Sequence, residues 1–459
     1  MEDQPLYEDT IVAPATAPGI GAITVVRLSG KRSLDIADSL FYGKMLSRAP
    51  SHTLHYGTLR KGGEVIDEVV VALFKSPHSY TGEDVVEISC HGSPLVTEKV
   101  MEACLDAGAR LAGPGEFTRR AFLNGKLDLA QAEAVADLIA SESETARKTA
   151  LSHLRGGFSQ KLNLLREQLI QFSALIELEL DFSQEDVAFA DRAQLYGMVD
   201  TAIADVERLV ESFRLGNAVK KGVSVAIIGK PNAGKSTLLN TLLEEDRAIV
   251  SEIAGTTRDT IEESLNIGGV IFRLVDTAGI REHTADTIEG IGVQRSLQKM
   301  QDAEIVLYLF DVREPLEDTR KEITGLVEKD FRFLPVGNKS DLVPGDELQD
   351  KFNGIPEVLL ISAKDHTRIV ALKDQLFNLA IGGEVPTEDT ILTNSRHRDM
   401  LVRVVKSLRD IREGMDKGLP GDLLALDIRH CLHFIGEITG MVTNKDVLDY
   451  VFSKFCIGK

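Results

Sequence analysis

The segment Gly229-Lys230-Pro231-Asn232-Ala233-Gly234-Lys235-Ser236 has the residue types and spacing to hold a phosphate chain. It follows the apolar run 223–228 and precedes Thr237-Leu238-Leu239-Asn240-Thr241-Leu242-Leu243, so a strand leads through a glycine-bounded turn into a helix. The glycines let the turn tighten until several amide N–H groups face one anion, and the helix N-terminus adds partial positive charge. In that arrangement Ala233, Gly234 and Thr237 line the phosphates. The Lys235 ammonium reaches the β- and γ-phosphates, and the Ser236 hydroxyl joins a Mg²⁺ shell.

Three later motifs select the nucleotide. Asp276-Thr277-Ala278-Gly279 follows the strand-like run 270–275, where a carboxylate can hold the metal shell and a glycine amide can sense a γ-phosphate. Asn338-Lys339-Ser340-Asp341 follows the apolar run 333–337, and Ser362-Ala363-Lys364 follows 358–361. The Asp341 carboxylate can accept from N1–H and the 2-amino group of guanine. Adenine offers neither donor, so a site built around that carboxylate rejects it. Each motif alone is weak; four in this order, each at a strand end, define a Ras-like P-loop GTP-binding domain.

The elements that must position these groups fall into a multidomain α/β plus α arrangement, and 459 residues allow roughly three domains. The runs 22–28, 68–74 and 85–90 read as strands and 94–107 as a helix, giving an N-terminal mixed α/β domain over 1–124. From Leu127 the period changes to that of a helix. Phe158, Leu162, Leu165, Leu169, Phe172 and Ile176 form a seam at alternating spacings of four and three, as in helix–helix packing. The same periodicity returns at Leu401, Val404, Val405, Leu408 and Ile411, then at Leu424, Ile428, Cys431, Leu432, Ile435 and Ile438, and finally at Val447, Leu448, Val451, Phe452 and Phe455. One helical domain (125–217 and 383–459) is therefore interrupted by an inserted GTPase domain (218–382), with linkers expected near Gly216-Asn217 and Ile381-Gly382-Gly383.

Seventy-one acidic against 52 basic residues give a net charge of −19, and 43% of residues are hydrophobic. This is the profile of a globular protein, not of a nucleic-acid scaffold, which needs clustered cations. The local basic candidates are Lys220-Lys221, Arg119-Arg120 and Arg396-His397-Arg398. No run of 18 apolar residues is present, so no membrane span is expected. The acidic start Met1-Glu2-Asp3 lacks a signal-peptide pattern, and four cysteines make no disulfide framework. A cytoplasmic location is expected. His430, Cys431 and His433 lack a matching ligand pair, which favours a core cysteine over a metal site, and His91 reads as a turn histidine.

The chain resembles the translation-factor class of GTPases and, more closely, the tRNA-modification GTPases called MnmE or TrmE. The likeness is carried by 229–236 with its Asn232, by Ile253-Ala254-Gly255-Thr256-Thr257-Arg258-Asp259, and by Phe455-Cys456-Ile457-Gly458-Lys459. It extends through Gly113-Pro114-Gly115-Glu116-Phe117-Thr118 and the run 124–134, so it covers essentially the whole chain. Many Ras-like GTPases place a water-orienting glutamine after the Asp-Thr-Ala-Gly motif. Here Ile280 stands there and cannot hydrogen-bond, so hydrolysis needs another group.

The resemblance implies two substitutes. One is a K⁺ ion on Asn232, Ser251 and the carbonyls of Ile253 and Thr256; related sequences usually have threonine where this chain has Ser251, and the hydroxyl is kept. The other is Glu289, positioning water. Ser251, Glu252, Ile253, Ala254, Gly255 and Thr256 would line the nucleotide, and Thr257 would join Ser236 on Mg²⁺. Asn232 also has a plain reading as a turn residue, and Glu289 as a solvent-facing carboxylate. By the same resemblance the N-terminal domain dimerises and binds a 5-formyl- or 5,10-methylene-tetrahydrofolate through Arg27, Glu87, Lys126 and Lys459. Cys456 would act in or near the modification chemistry; a simple anchoring role is the other reading. The partners implied are a second copy, the flavoprotein MnmG and tRNA, with the wobble uridine modified at C5. A rival class is a regulatory switch for ribosome assembly that alters no nucleoside; the GTP motifs fit both, and the folate positions with Cys456 favour the enzyme.

Overall fold

The computed structural model describes residues 8–181, 192–246, 263–275, 303–328, 331–353, 358–382 and 391–459. The chain divides into two compact units, one of residues 1–136, 154–164 and 432–459, the other of 137–153 and 165–431.

In the first unit seven strands form one sheet: β1 (Ile11–Pro14), β2 (Ile23–Ser29), β3 (Phe41–Tyr42), β4 (Thr53–Lys61), β5 (Glu64–Phe74), β6 (Val85–His91) and β7 (Arg110–Leu111). Their order is β3-β4-β5-β6-β2-β1-β7, antiparallel throughout except for the β1–β7 pair. Side chains alternate across a strand. Val26 and Leu28 of β2 and Val86, Ile88 and Cys90 of β6 enter a core with Ile36, Leu40, Val100 and Cys104, which come from the helices Ser33–Leu40 and Pro94–Asp106. The same alternation sends Arg27 and Glu87 to the opposite face, where β2 and β6 pair them directly. On that face Phe117, from the helix Glu116–Leu123, packs with Ile11, Ala13 and Ala112. Further on, Leu129 and Ala132 meet Leu448, Val451, Phe452 and Phe455.

The second unit holds a six-stranded sheet of β8 (Val223–Ile228), β9 (Glu263–Ile267), β10 (Val270–Leu274), β11 (Ile305–Asp311), β12 (Phe333–Asn338) and β13 (Leu359–Leu360). Its order is β13-β12-β11-β8-β10-β9, parallel but for the β9–β10 hairpin. A parallel sheet is covered on both faces, so its strands read as continuous apolar runs. Central β11 is buried along its whole length: Ile305, Leu307 and Leu309 enter one core, Val306, Tyr308 and Phe310 the other. The helical seam is as the periodicity requires, with Phe158, Leu162, Leu165, Leu169, Phe172 and Ile176 all buried in the helix Gly157–Asp181.

One expectation needs correction. Gly216-Asn217 is not a linker; both residues lie inside the helix Phe213–Lys221. Gly216 is there for close approach, because a Cβ on it would stand 2.0 Å from the Leu392 carbonyl oxygen. Gly382 does end a helix, Ile369–Ile381, in left-handed conformation (φ 76°); the Gly383 half of that proposed linker lies outside the described residues.

Candidate functional site

The phosphate-binding loop joins β8 to the helix Lys235–Asp246, and two glycines explain its path. A Cβ on Gly229 would stand 2.0 Å from the Leu309 carbonyl oxygen, and one on Gly234 2.2 Å from Asn338 Nδ2. Both have positive φ (152° and 98°), and Asn232 takes the left-handed conformation at 64°, which asparagine tolerates better than most residues. Lys235 Nζ donates to the carbonyls of Gly229 (2.8 Å) and Lys230 (2.9 Å), so the loop curls around its own lysine. Ser236 follows in the first helical turn.

Asn338, at the end of β12, ties three loops together. Its Nδ2 donates to the Ala233 carbonyl (2.9 Å), and its Oδ1 accepts from the Ala363 N–H (3.0 Å). Lys339, with φ 67°, donates to the Asn232 carbonyl (2.6 Å) and to Asp311 Oδ2 (2.9 Å). The Arg313 guanidinium and the Lys339 ammonium hold the Asp311 carboxyl well below the usual carboxylate range, so it stays an anion that orients Lys339. Ser362 Oγ donates to Asp341 Oδ1 (2.6 Å), and Thr241 Oγ1 donates to the Ala363 carbonyl (2.8 Å). The exposed Asp341 carboxylate is thereby aimed before any base arrives, the geometry a guanine-selective pocket needs. Lys364 is exposed beside it in sequence. Ser251, Glu252, Ile253, Ala254, Gly255, Thr256, Thr257, Asp276, Thr277, Ala278, Gly279 and Glu289 lie outside the described residues, as does Ile280.

The first unit presents a second cluster. Arg27 Nε donates to Glu87 Oε1 at 2.8 Å, with the two side chains 21% and 25% exposed. The Arg27 guanidinium carbon lies 5.5 Å from the Tyr80 ring centre and 5.6 Å from that of Phe117. Tyr80 Oη and Thr118 Oγ1 are 2.9 Å apart. Lys126 Nζ donates to the Pro77 carbonyl (3.1 Å).

The segment Cys456-Ile457-Gly458-Lys459 docks on this same unit. Gly115 N–H donates to the Cys456 carbonyl (3.3 Å), and Ile457 forms a β-bridge with Pro114. Gly458, at φ 98°, lies so close to Pro14 that a Cβ would stand 2.0 Å from its carbonyl oxygen. Cys456 is exposed, whereas Cys90, Cys104 and Cys431 are buried, and burial pushes their thiols up to about 11, 12 and 12.

Two family models match the chain: the MnmE helical domain over residues 129–456 and the GTP-binding protein TrmE N-terminus over 10–126. The tRNA modification GTPase MnmE of Cytophaga hutchinsonii is 52% identical over 454 residues, covering 99% of this chain and 98% of that protein. Those of Flavobacterium psychrophilum and Bacteroides thetaiotaomicron are 48% and 49% identical, each covering 99% of this chain and all of the relative. The chain belongs to the MnmE family. It is accordingly a GTPase. A solved GTP-binding protein of Sulfolobus solfataricus in complex with GDP is similar at 19% identity and TM-score 0.26, covering 48% of this chain and 67% of that one, too slight a likeness to add to the assignment.

Membership in the MnmE family does not rescue every basic candidate read from the sequence. Arg120 is fully buried and ion-paired with Asp9, Glu83 and Glu116, so it cannot meet a phosphate backbone. Arg119 pairs with Asp449 (2.9 Å) and Lys220 with Asp137 (2.7 Å). Arg398 stacks on Phe213, and Arg396 bonds the buried His397. His91 is held by Asp67 at 2.7 Å, and no cluster of three metal-ligating side chains occurs among the described residues. No helix among them is long and apolar enough to cross a membrane. Sequence reading missed Asp311, Thr241, Tyr80 and the Asp9–Arg110–Glu116–Arg120 network. Of these Thr241, Glu116 and Arg120 stood inside segments already singled out, but the partners Ala363, Arg110 and Asp9 lie elsewhere in the sequence.

Proposed function

We propose that this chain is a K⁺-stimulated GTP hydrolase that acts with the flavoprotein MnmG, in the cytoplasm, on the wobble uridine of tRNA. The product is a C5 carboxymethylaminomethyl or aminomethyl uridine, and a 5-formyl- or 5,10-methylene-tetrahydrofolate supplies the one-carbon unit. The observation that carries this reading is near-complete coverage, at about half identity, by proteins named for tRNA modification. Residues 218–382 form the GTPase domain, 125–217 with 383–459 the helical domain, and 1–124 the folate-binding and dimerising domain.

Mg²⁺ and K⁺, when bound, supply positive charge against the phosphates. Ser236 and Thr257 would hold the first, with Asp276 in its shell. Asn232, Ser251 and the carbonyls of Ile253 and Thr256 would hold the second. Asn232 suits that role: its backbone carbonyl is taken by Lys339, its side chain is exposed, and Ile280 leaves the hydrolytic step without a hydrogen-bonding group. Glu289 orients the attacking water. In the first unit the part-exposed Arg27 and Glu87, ion-paired at 2.8 Å, would meet one end of a folate, the carboxylate suiting its amino-pterin edge. Lys126 and Lys459 add charge for the tail, and the exposed Cys456 thiol serves the modification.

GTP turnover measured in K⁺ and in Na⁺ tests the ion: K⁺ should accelerate it sharply, and Asn232→Ala should remove the acceleration while GTP still binds. Equal rates in the two salts overturn the ion mechanism. Nucleoside analysis of tRNA from cells lacking the protein tests the reaction, and an unchanged wobble uridine overturns it.

A further inference from the structure

Three consecutive residues at the start of the helix Glu116–Leu123 each do something different. Gly115 receives the Cys456 carbonyl, Glu116 is locked in an ion network, and Phe117 lies against the Arg27 guanidinium. One helical turn thus touches both the thiol-bearing segment and the strand position assigned to folate.

We propose that Gly115, Glu116 and Gly458 are positioning residues of the modification site, fixing the Cys456 thiol beside β1 and β2 by docking residues 456–459 through their backbone. This rests on the modification reading given above. The two glycines are required by geometry. Gly115 sits at φ 62°, and a Cβ there would come within 2.9 Å of both the Phe452 carbonyl oxygen and Phe455 Cβ. Gly458 combines φ 98° with the 2.0 Å approach to the Pro14 carbonyl oxygen, where no side chain fits and backbone cannot retreat without breaking β1. Pro14 pairs with Val26, next to Arg27, so docking at Gly458 brings the segment to the strand carrying that cation.

Glu116 shapes the receiving turn. Its carboxylate accepts from the Gly113 N–H (2.9 Å), from Arg110 Nη1 (2.8 Å) and from the buried Arg120 (3.1 Å). Asp9 bonds both arginines from the other side. With four N–H groups of three residues on one carboxylate, the 113–116 turn is held in place, and Pro114 and Gly115 are presented to Ile457 and Cys456. Phe455, buried among Leu448, Val451 and Phe452, anchors the segment just before it.

The experiment compares the full chain with Gly458→Ala and Glu116→Gln, reading amide hydrogen exchange at Gly115 and over 454–459, the Tm, and in vitro wobble-uridine modification with MnmG. Gly458→Ala should speed exchange at the Gly115 amide by about tenfold or more, because its acceptor leaves, with Tm little changed. Modification kcat at saturating folate should fall, and folate Kd should rise because Lys459 leaves with the segment. Glu116→Gln should loosen the same amide, and should it fail to fold, the Gly458 variant still decides. Unchanged exchange in Gly458→Ala overturns the docking. Faster exchange with full modification kcat overturns the positioning role. A wild-type protein that supports no modification defeats the functional reading instead, and the exchange arm still tests the docking.

Discussion

The nucleotide site and the Cys456 site are assembled in different ways. The first draws on residues 229–241, 311, 338–341 and 362–363, nearly all at or just beyond the ends of parallel strands β8, β11, β12 and β13. Parallel topology gathers those ends at one edge, where α/β sheets bind their ligands. Each contribution can then be a short local motif. The second draws on Pro14, Arg27, Glu87, Gly115, Phe117 and residues 456–458, brought together by antiparallel register and by a segment distant in sequence. Chemistry concentrated at strand ends leaves contiguous signatures; chemistry spread across a sheet face leaves isolated residues.

The sharpest way to break this contrast is at the base pocket. Asp341→Ala removes the carboxylate proposed to accept two charge-assisted hydrogen bonds from guanine, each worth about 1.5–3 kcal/mol. GTP affinity should fall by at least ~100-fold, read by titration calorimetry. Folate affinity should stay where it was. Loss of both would show that the two sites are not separable as described.

Next in size is Arg120→Ala. It takes the buried guanidinium from Glu83 and Glu116, 14% and 10% exposed, and from Asp9, leaving the last two paired with Arg110. Removing one partner of a buried ion pair costs about 3–5 kcal/mol, so denaturant unfolding of the first unit should shift by that order. A change under about 1 kcal/mol would mean that water replaces the guanidinium. The acid response has a definite sign. Burial alone would raise the Glu116 and Asp9 carboxyls, but Arg110 and Arg120 outweigh it and hold both below their usual values. Their contribution is complete above the ordinary carboxylate range and is lost as pH falls through the lower folded values. Unfolding of wild type should therefore steepen below about pH 4, and Arg120→Ala should flatten that slope.

These cases also show where the sequence was readable. Asn338 and Asp341 declared themselves through a motif, β12 through its apolar run, and the 158–176 seam through periodicity. Arg119-Arg120 looked like a basic surface pair because sequence carries charge but not burial; only the fold brings Asp9 and Glu83 to Arg120. Gly216 looked like a hinge because close approach to Leu392 is a long-range contact. Asp311 carried no signal, since an aspartate at a strand end is ordinary until Lys339 is found 2.9 Å away.

A smaller effect is expected at Glu289, where the proposed role is confined to the transition state. Glu289→Ala should slow single-turnover GTP hydrolysis on the order of 10–100-fold, about 1.4–2.7 kcal/mol, with GTP Kd nearly unchanged. Hydrolysis at the wild-type rate would return this residue to a solvent-facing carboxylate.

The smallest stability effect belongs to Glu87→Gln, and it separates the two strategies most finely. Arg27 and Glu87 face each other across β2 and β6 at 2.8 Å, yet each keeps a fifth to a quarter of its side chain in water. Part-exposed pairs contribute about 0–1 kcal/mol, so the unfolding midpoint should barely move. If the pair is there to meet a ligand, folate affinity should nonetheless fall about tenfold, because glutamine replaces an anionic acceptor at the pterin edge with a neutral one. A loss of several kcal/mol in stability with folate binding intact would make the pair a lock on the sheet. The Arg27 guanidinium already rests between Tyr80 and Phe117. Those rings hold the cation when Glu87 is neutralised, so the glutamine variant alters recognition while leaving the strand register in place.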